Sequence, residues 1–242
     1  MVDQRAIAVG SSSYLLLLDR LKAGGYEVGP MSVGLSVHPR VRLRHDVEFS
    51  MSAALALARL ENSQGYVATY YFATRSPFFN LLYPRNRLVI EEIAGLGHEI
   101  GAHLGSDVFD NSDHYVDREL VLARDLIPRL SDNLVSLHSP PSLEQTRSNH
   151  ASLALTYEPI LAGTETYVAD SQGRWNARPE ELDSVNNSQV QLLTHPLWWA
   201  QLAQSATERL QYLWGHISAD MIDASRAFLP KLTASATAEH EV

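Results

Sequence analysis

The chain has 242 residues, 45% of them apolar and 19% charged, enough for one sizeable core, and a single domain is expected over 1–242. A net charge of −9 argues against a nucleic-acid partner or an anionic membrane surface. The absence of cysteine excludes disulfides and thiolate metal sites, so any metal must be held by His, Asp or Glu.

In chain order, the N-terminal stretch has only a four-leucine run and no basic segment before it, so no signal peptide is expected. No apolar run approaches the ~20 residues of a membrane span, and a cytoplasmic protein is expected. Ser11 to Lys22 reads as a helix stopped by "AGGY". "VRLRHDV", from Val41, alternates like a strand. Met51 to Gly65 is rich in Ala and Leu, with Gly65 where a C-cap belongs. "YVATYYFAT" is the next strand, "RNRLVIEEIAGLG" a helix ended by Gly97, "HEIGAHL" a strand, and "DRELVLARDLIPRL" a helix. "NLVSLHSP" is a strand stopped by Pro140, and "TYVADS" and "VQLLTHP" are two more. Residues 200–235 are expected to be helical, before a small polar tail.

Strands alternating with helices imply parallel βαβ units in an α/β sheet or barrel, whose functional side chains gather where strands end. Five predicted strands end on ionisable groups: His45, Asp46 and Glu48; His103, with Asp107 four residues on; His138; Asp170, with Ser171; and His195. A lone strand-end His is usually structural, but five on one rim point to a site. Imidazole and carboxylate donors without thiolate suit Zn²⁺ and similar first-row cations. The chain has no G-x-S-x-G elbow, no phosphate-binding loop and no G-x-G-x-x-G, so serine-triad and nucleotide-phosphate chemistry are unsupported.

Together, "RHDVEFS", "EIAGLGHEIGAH", "VSLHSPPS", "VADSQGRW" and "VQLLTHPLWW" resemble the polysaccharide deacetylase superfamily, the NodB-homology carbohydrate esterases, in the branch with an "HDVD" first motif. The resemblance runs from about Val41 to Trp199. It implies a distorted (β/α) barrel of about seven parallel strands, a divalent metal, commonly zinc, and removal of an N-acyl group from a sugar. It makes Asp46 the general base and Glu48 a metal ligand; on a strand these two side chains point the same way. His103 is the ligand of the second motif. Asp107, in place of the usual second His, either ligates or starts a helix, and His138 is the substitute. Ser139 stands where the third motif carries an Arg that contacts the base. His195 matches the late-strand general acid. Asp170, Trp175 and Trp198 are expected around the substrate, with Asp170 orienting a neighbouring side chain. His98 reads as structural, and His114, His150 and His216 have no motif context.

The expected function is therefore a metal-dependent amidohydrolase taking acetyl or formyl from an amino sugar, nucleotide-linked, lipid-linked or in an oligosaccharide, in polysaccharide or lipopolysaccharide precursor synthesis. The alternative is a degenerate sugar-binding member of the same fold, because Glu48, Asp107 and Ser139 depart from the pattern in three motifs. An ester substrate would use the same residues.

Overall fold

The computed structural model describes residues 11–32, 38–105, 113–131, 134–137, 156, 163–182, 186–199, 208, 211–215, 217–219 and 221–222. Its elements are α1 (Ser11–Ala23), β1 (Glu27–Gly29), β2 (Arg40–Val47), α2 (Met51–Ser63), β3 (Thr69–Ala73), α3 (Pro84–Gly95), β4 (Glu99–Leu104), α4 (Asp113–Leu126), β5 (Val135–Leu137), β6 (Thr166–Ala169), β7 (Gln189–Thr194) and the single turn α5 (Pro196–Trp199). The described positions from 208 onward are helical.

All seven described strands are parallel: six run in the order β5-β4-β3-β2-β7-β6, and β1 pairs with β2 off that path. β7 pairs with β2 along Arg40–His45, while β1 and β3 take successive halves of the opposite edge. This is the expected α/β architecture, a seven-stranded parallel sheet of the distorted (β/α)-barrel type. Among the described residues no pairing joins β5 to β6. β1 was not expected; three residues give no periodicity to read.

The local signals act as the physics requires. Ser50 caps α2, its hydroxyl accepting from the Ala53 amide at 3.2 Å. That cap fixes the short turn carrying Glu48 from β2 into the helix. Gly65 and Gly97 both take positive φ, 75° and 94°, where a side chain would be strained. α4 ends at Leu126 rather than running on to Leu130, because Pro128 disfavours helix at the residue before it.

One face of β2, Val41, Leu43 and Val47, joins a core with Tyr14, Leu18, Leu57, Ile90 and Ile93 of α1, α2 and α3. The other face carries Arg40, Arg42, Arg44 and Asp46, and the whole strand is buried. Burying that charged face requires partners. Arg40 pairs with Glu27 at 2.5 Å, Arg42 with Glu165 at 2.5 Å, and Arg44 with Asp46 at 2.7 Å.

Candidate active site

The alternation of β2 sends Asp46 and Glu48 to one face and His45 to the other, so the three groups that look clustered in sequence are not one cluster. Asp46 is 3% exposed and lies under Arg44, whose Nη2 donates to Asp46 Oδ2 at 2.7 Å and to Ser136 Oγ at 2.6 Å, while Nη1 donates to Gln191 at 3.0 Å. Burial alone would raise the Asp46 pKa. Arg44 first, then His103 and His195, overcome it and hold the carboxyl below the ordinary range.

Arg44 is in turn stacked on Tyr71, its guanidinium carbon 5.5 Å from the ring centre. Tyr71 can lie there because its cross-strand partner is Gly101. A Cβ at Gly101 would stand 2.4 Å from the Tyr71 ring. This gives "HEIGAH" a physical reason for its glycine: Gly101 admits Tyr71, Tyr71 supports Arg44, and Arg44 holds Asp46.

His103, from the end of β4, reaches Glu48 through Nε2 at 2.8 Å and Ser136 Oγ through Nδ1 at 3.1 Å; Nδ1 is also 3.6 Å from Asp46. His195 follows β7. Its Nδ1 lies 2.6 Å from Asp170, which also accepts from the His195 amide at 3.0 Å and from Trp199 Nε1 at 2.7 Å. With Nδ1 committed to Asp170, Nε2 faces the site, 3.9 Å from Glu48. Burial works to lower the His195 pKa, but Asp170, then Glu48 and Asp46, raise it to about 9. Beside Glu48 and His103 opens a cleft of about 390 Å³, walled by Phe49, Pro77 and Phe78 and edged by Arg75.

The structure thus brings together Asp46, Glu48, His103 and His195. Asp170 is fully buried behind His195, its carboxylate bound to His195 and Trp199. Trp175 is buried in the core, 5.8 Å from Trp199, and Trp198 lies partly exposed, 6.1 Å from Phe49. Asp107, His138 and Ser139 lie outside the described residues, as does His150. His98 is structural: its Nδ1 accepts from the Ala68 amide at 3.2 Å and its Nε2 donates to the Ala58 carbonyl at 3.0 Å.

Arg44 and Ser136 were missed by sequence reasoning. The resemblance pointed to "HSPP" for an arginine contacting Asp46, whereas Arg44 stands two residues before Asp46 on the same face of the same strand. The alternation in "RVRLRHDVE" carried that signal.

Among the described residues no group of three His, Asp or Glu side chains is arranged to hold a metal ion. Glu48 and His103 nonetheless fit as part of a donor set. When Nδ1 of His103 donates to Ser136, Nε2 presents a lone pair beside the Glu48 carboxylate, and an oxygen-anchored imidazole is the usual form of a ligating His.

No protein-family model matches the chain, and no curated protein matches it. Among solved structures it is similar to a CE4 family pseudoenzyme from Bacillus anthracis, at 12% identity and a TM-score of 0.44, over 79% of this chain and 65% of the other. It is also similar to a peptidoglycan N-acetylglucosamine deacetylase, at 14% identity and a TM-score of 0.47, over 84% and 91%. A third is the chitin deacetylase of the fungal pathogen Colletotrichum lindemuthianum, at 12% identity and a TM-score of 0.47, over 80% and 87%. The chain therefore spans 65% of the length of the first of these. The roles of individual residues rest on the geometry above.

Proposed function

We propose that this chain is a metal-dependent hydrolase that removes an N-acyl group, acetyl or formyl, from an amino sugar. One observation carries the reading: a carboxylate paired with Arg44 and an imidazole paired with Asp170 converge on the same strand-end site. Arg44 keeps Asp46 able to accept a proton, and Asp170 keeps His195 able to give one.

In this mechanism Asp46 takes a proton from the attacking water. Arg44 occupies Oδ2, and Oδ1, whose contact to Ser136 is 3.5 Å, is the oxygen left for that proton. The water oxygen bonds to the acyl carbon. His195, oriented by Asp170, then donates from Nε2 to the departing nitrogen, so the carbon–nitrogen bond breaks to give a free amine and a carboxylic acid. Glu48 and His103 would hold the divalent cation, zinc by the chemistry of the donors, with Asp107 or His138 completing the set. Such a cation polarises an acyl oxygen and lowers the pKa of bound water to ~7. Phe49 and Phe78 offer apolar wall to a sugar face beside the reacting group.

The sugar-binding alternative drew on three departures from the motif pattern. Two of its arguments weaken: Glu48 reaches His103 despite its extra methylene, and Arg44 supplies a cation to Asp46. The test is release of free amine from N-acetylated amino sugars, offered as nucleotide-linked, lipid-linked and oligosaccharide forms to Zn²⁺-loaded protein, with metal content measured in parallel. Amine release that a chelator abolishes supports the reading. Less than about a tenth of an equivalent of metal after loading, with no amine released, supports the binding module.

A further inference from the structure

On the helix side of the sheet, behind the site, lies a second polar cluster that the proposed mechanism does not use. His45 is fully buried there. Its Nε2 is 2.8 Å from Glu61 Oε1, and its Nδ1 is 2.7 Å from Thr194 Oγ1. Glu61, fully buried on α2, also accepts from Tyr14 of α1 and from Tyr70 of β3, the latter at 2.7 Å; His98 Nδ1 is 3.7 Å away. Side chains from α1, β2 and β3 thus converge on one carboxylate of α2, and β7 joins through Thr194.

The position of this network is what gives it meaning. His45 and Thr194 are register partners across β2 and β7. Asp46 follows the first, and His195 follows the second. The 2.7 Å contact between His45 and Thr194 therefore ties together the two residues that immediately precede the proposed base and the proposed acid. We infer that the Glu61–His45–Thr194 network is a positioning device that fixes the ends of β2 and β7, and through them the placement of Asp46 and His195.

Stability alone explains the network poorly. A buried carboxylate with its donors is often no more stabilising than packed apolar side chains of similar volume. What directional bonds add is a unique placement, and catalysis is sensitive to placement: a misplacement of about 1 Å can cost about 100-fold in rate. Glu61 is the hub because one carboxylate on α2 accepts from Tyr14 of α1, His45 of β2 and Tyr70 of β3, and so ties both helices to the end of a strand pair that the backbone ladder already sets in register.

The inference rests on reading Asp46 and His195 as base and acid, so its test needs one readout that does not require turnover. Three variants serve: Glu61→Gln, which removes the charge at constant shape; Thr194→Val, which removes the hydroxyl; and Thr194→Ser, which restores it. In Zn²⁺-loaded protein the His195 ring cross-peak in NMR spectra should broaden or double in Glu61→Gln and in Thr194→Val, and return to a single sharp peak in Thr194→Ser. With an N-acetylated amino sugar, kcat should fall about 10–100-fold in the first two, with KM and metal content unchanged, and recover in Thr194→Ser. A single sharp His195 peak at the wild-type position in both Glu61→Gln and Thr194→Val would overturn the inference, as would wild-type kcat in Thr194→Val. If Glu61→Gln does not fold, the Thr194 pair decides on the same criteria. A wild type that turns over no N-acyl sugar, yet whose His195 peak responds as described, would overturn the hydrolase reading and support the network.

Discussion

Asp46 and His195 owe their expected behaviour to neighbours that can be removed one at a time. Burial opposes the charged form of each, and in each a specific partner outweighs it: Arg44 for the carboxylate and Asp170 for the imidazole. The rate should therefore be flat over a wide range. On the acid side it should fall only below the ordinary carboxylate range, as Asp46 takes up its proton. On the alkaline side it should fall as pH rises through about 9, where His195 loses its proton. His195→Ala should remove the alkaline limb and leave metal content intact. Asp170→Asn should move that limb to lower pH, because burial then acts on His195 with less opposition. A limb that stays in place in Asp170→Asn would break the link between the two. The same sign governs stability: the imidazolium–Asp170 pair contributes fully below the ordinary histidine value of 6.5 and is lost as pH rises through about 9. Arg44→Met should strand a buried carboxylate and cost about 3–5 kcal/mol, read from the shift in urea midpoint, and should move the acid limb upward.

At the scale of elements, the strands deliver side chains by period two, and that period explains what was legible. The strand-end groups Asp46, Glu48, His103 and His195 could be read because each follows an apolar alternation. His45 was grouped with them wrongly, although the same alternation already placed it on the opposite face. Glu61 carried a quieter signal: with Ala54, Leu57 and Ala58 it sits at i, i+3, i+4 and i+7, a charge on the buried stripe of α2. Its partners Tyr14 and Tyr70 come from separate elements, so nothing local announced them. The contact of Tyr71 with Gly101 was likewise illegible, being a cross-strand relation that depends on register. It makes its own prediction. Gly101→Ala should force Tyr71 off β4, cost about 1–3 kcal/mol by overpacking, and reduce activity by unseating Arg44. Combining it with Tyr71→Leu should recover part of the stability. Additive costs in the double variant would show that the two residues do not touch.

For the whole molecule, the parallel strands β2, β4, β6 and β7 bring a scattered set of polar residues to one rim. The described helices include none long and apolar enough to cross a membrane. The alternation of helix and strand was enough to read the architecture, but not its strand order, since β2 and β7 are neighbours separated by more than 140 residues of chain. That long-range pairing brings the proposed acid to the proposed base, and the proposed hydrolysis requires the two to act together. Its most direct test is the rate of amine release from an N-acetylated amino sugar by Asp46→Asn, compared with the wild type at equal zinc content. A folded, metal-loaded variant slower by about 10²–10⁴-fold, the contribution of a general base, is the expected result. A variant that binds zinc and releases amine at the wild-type rate would contradict it.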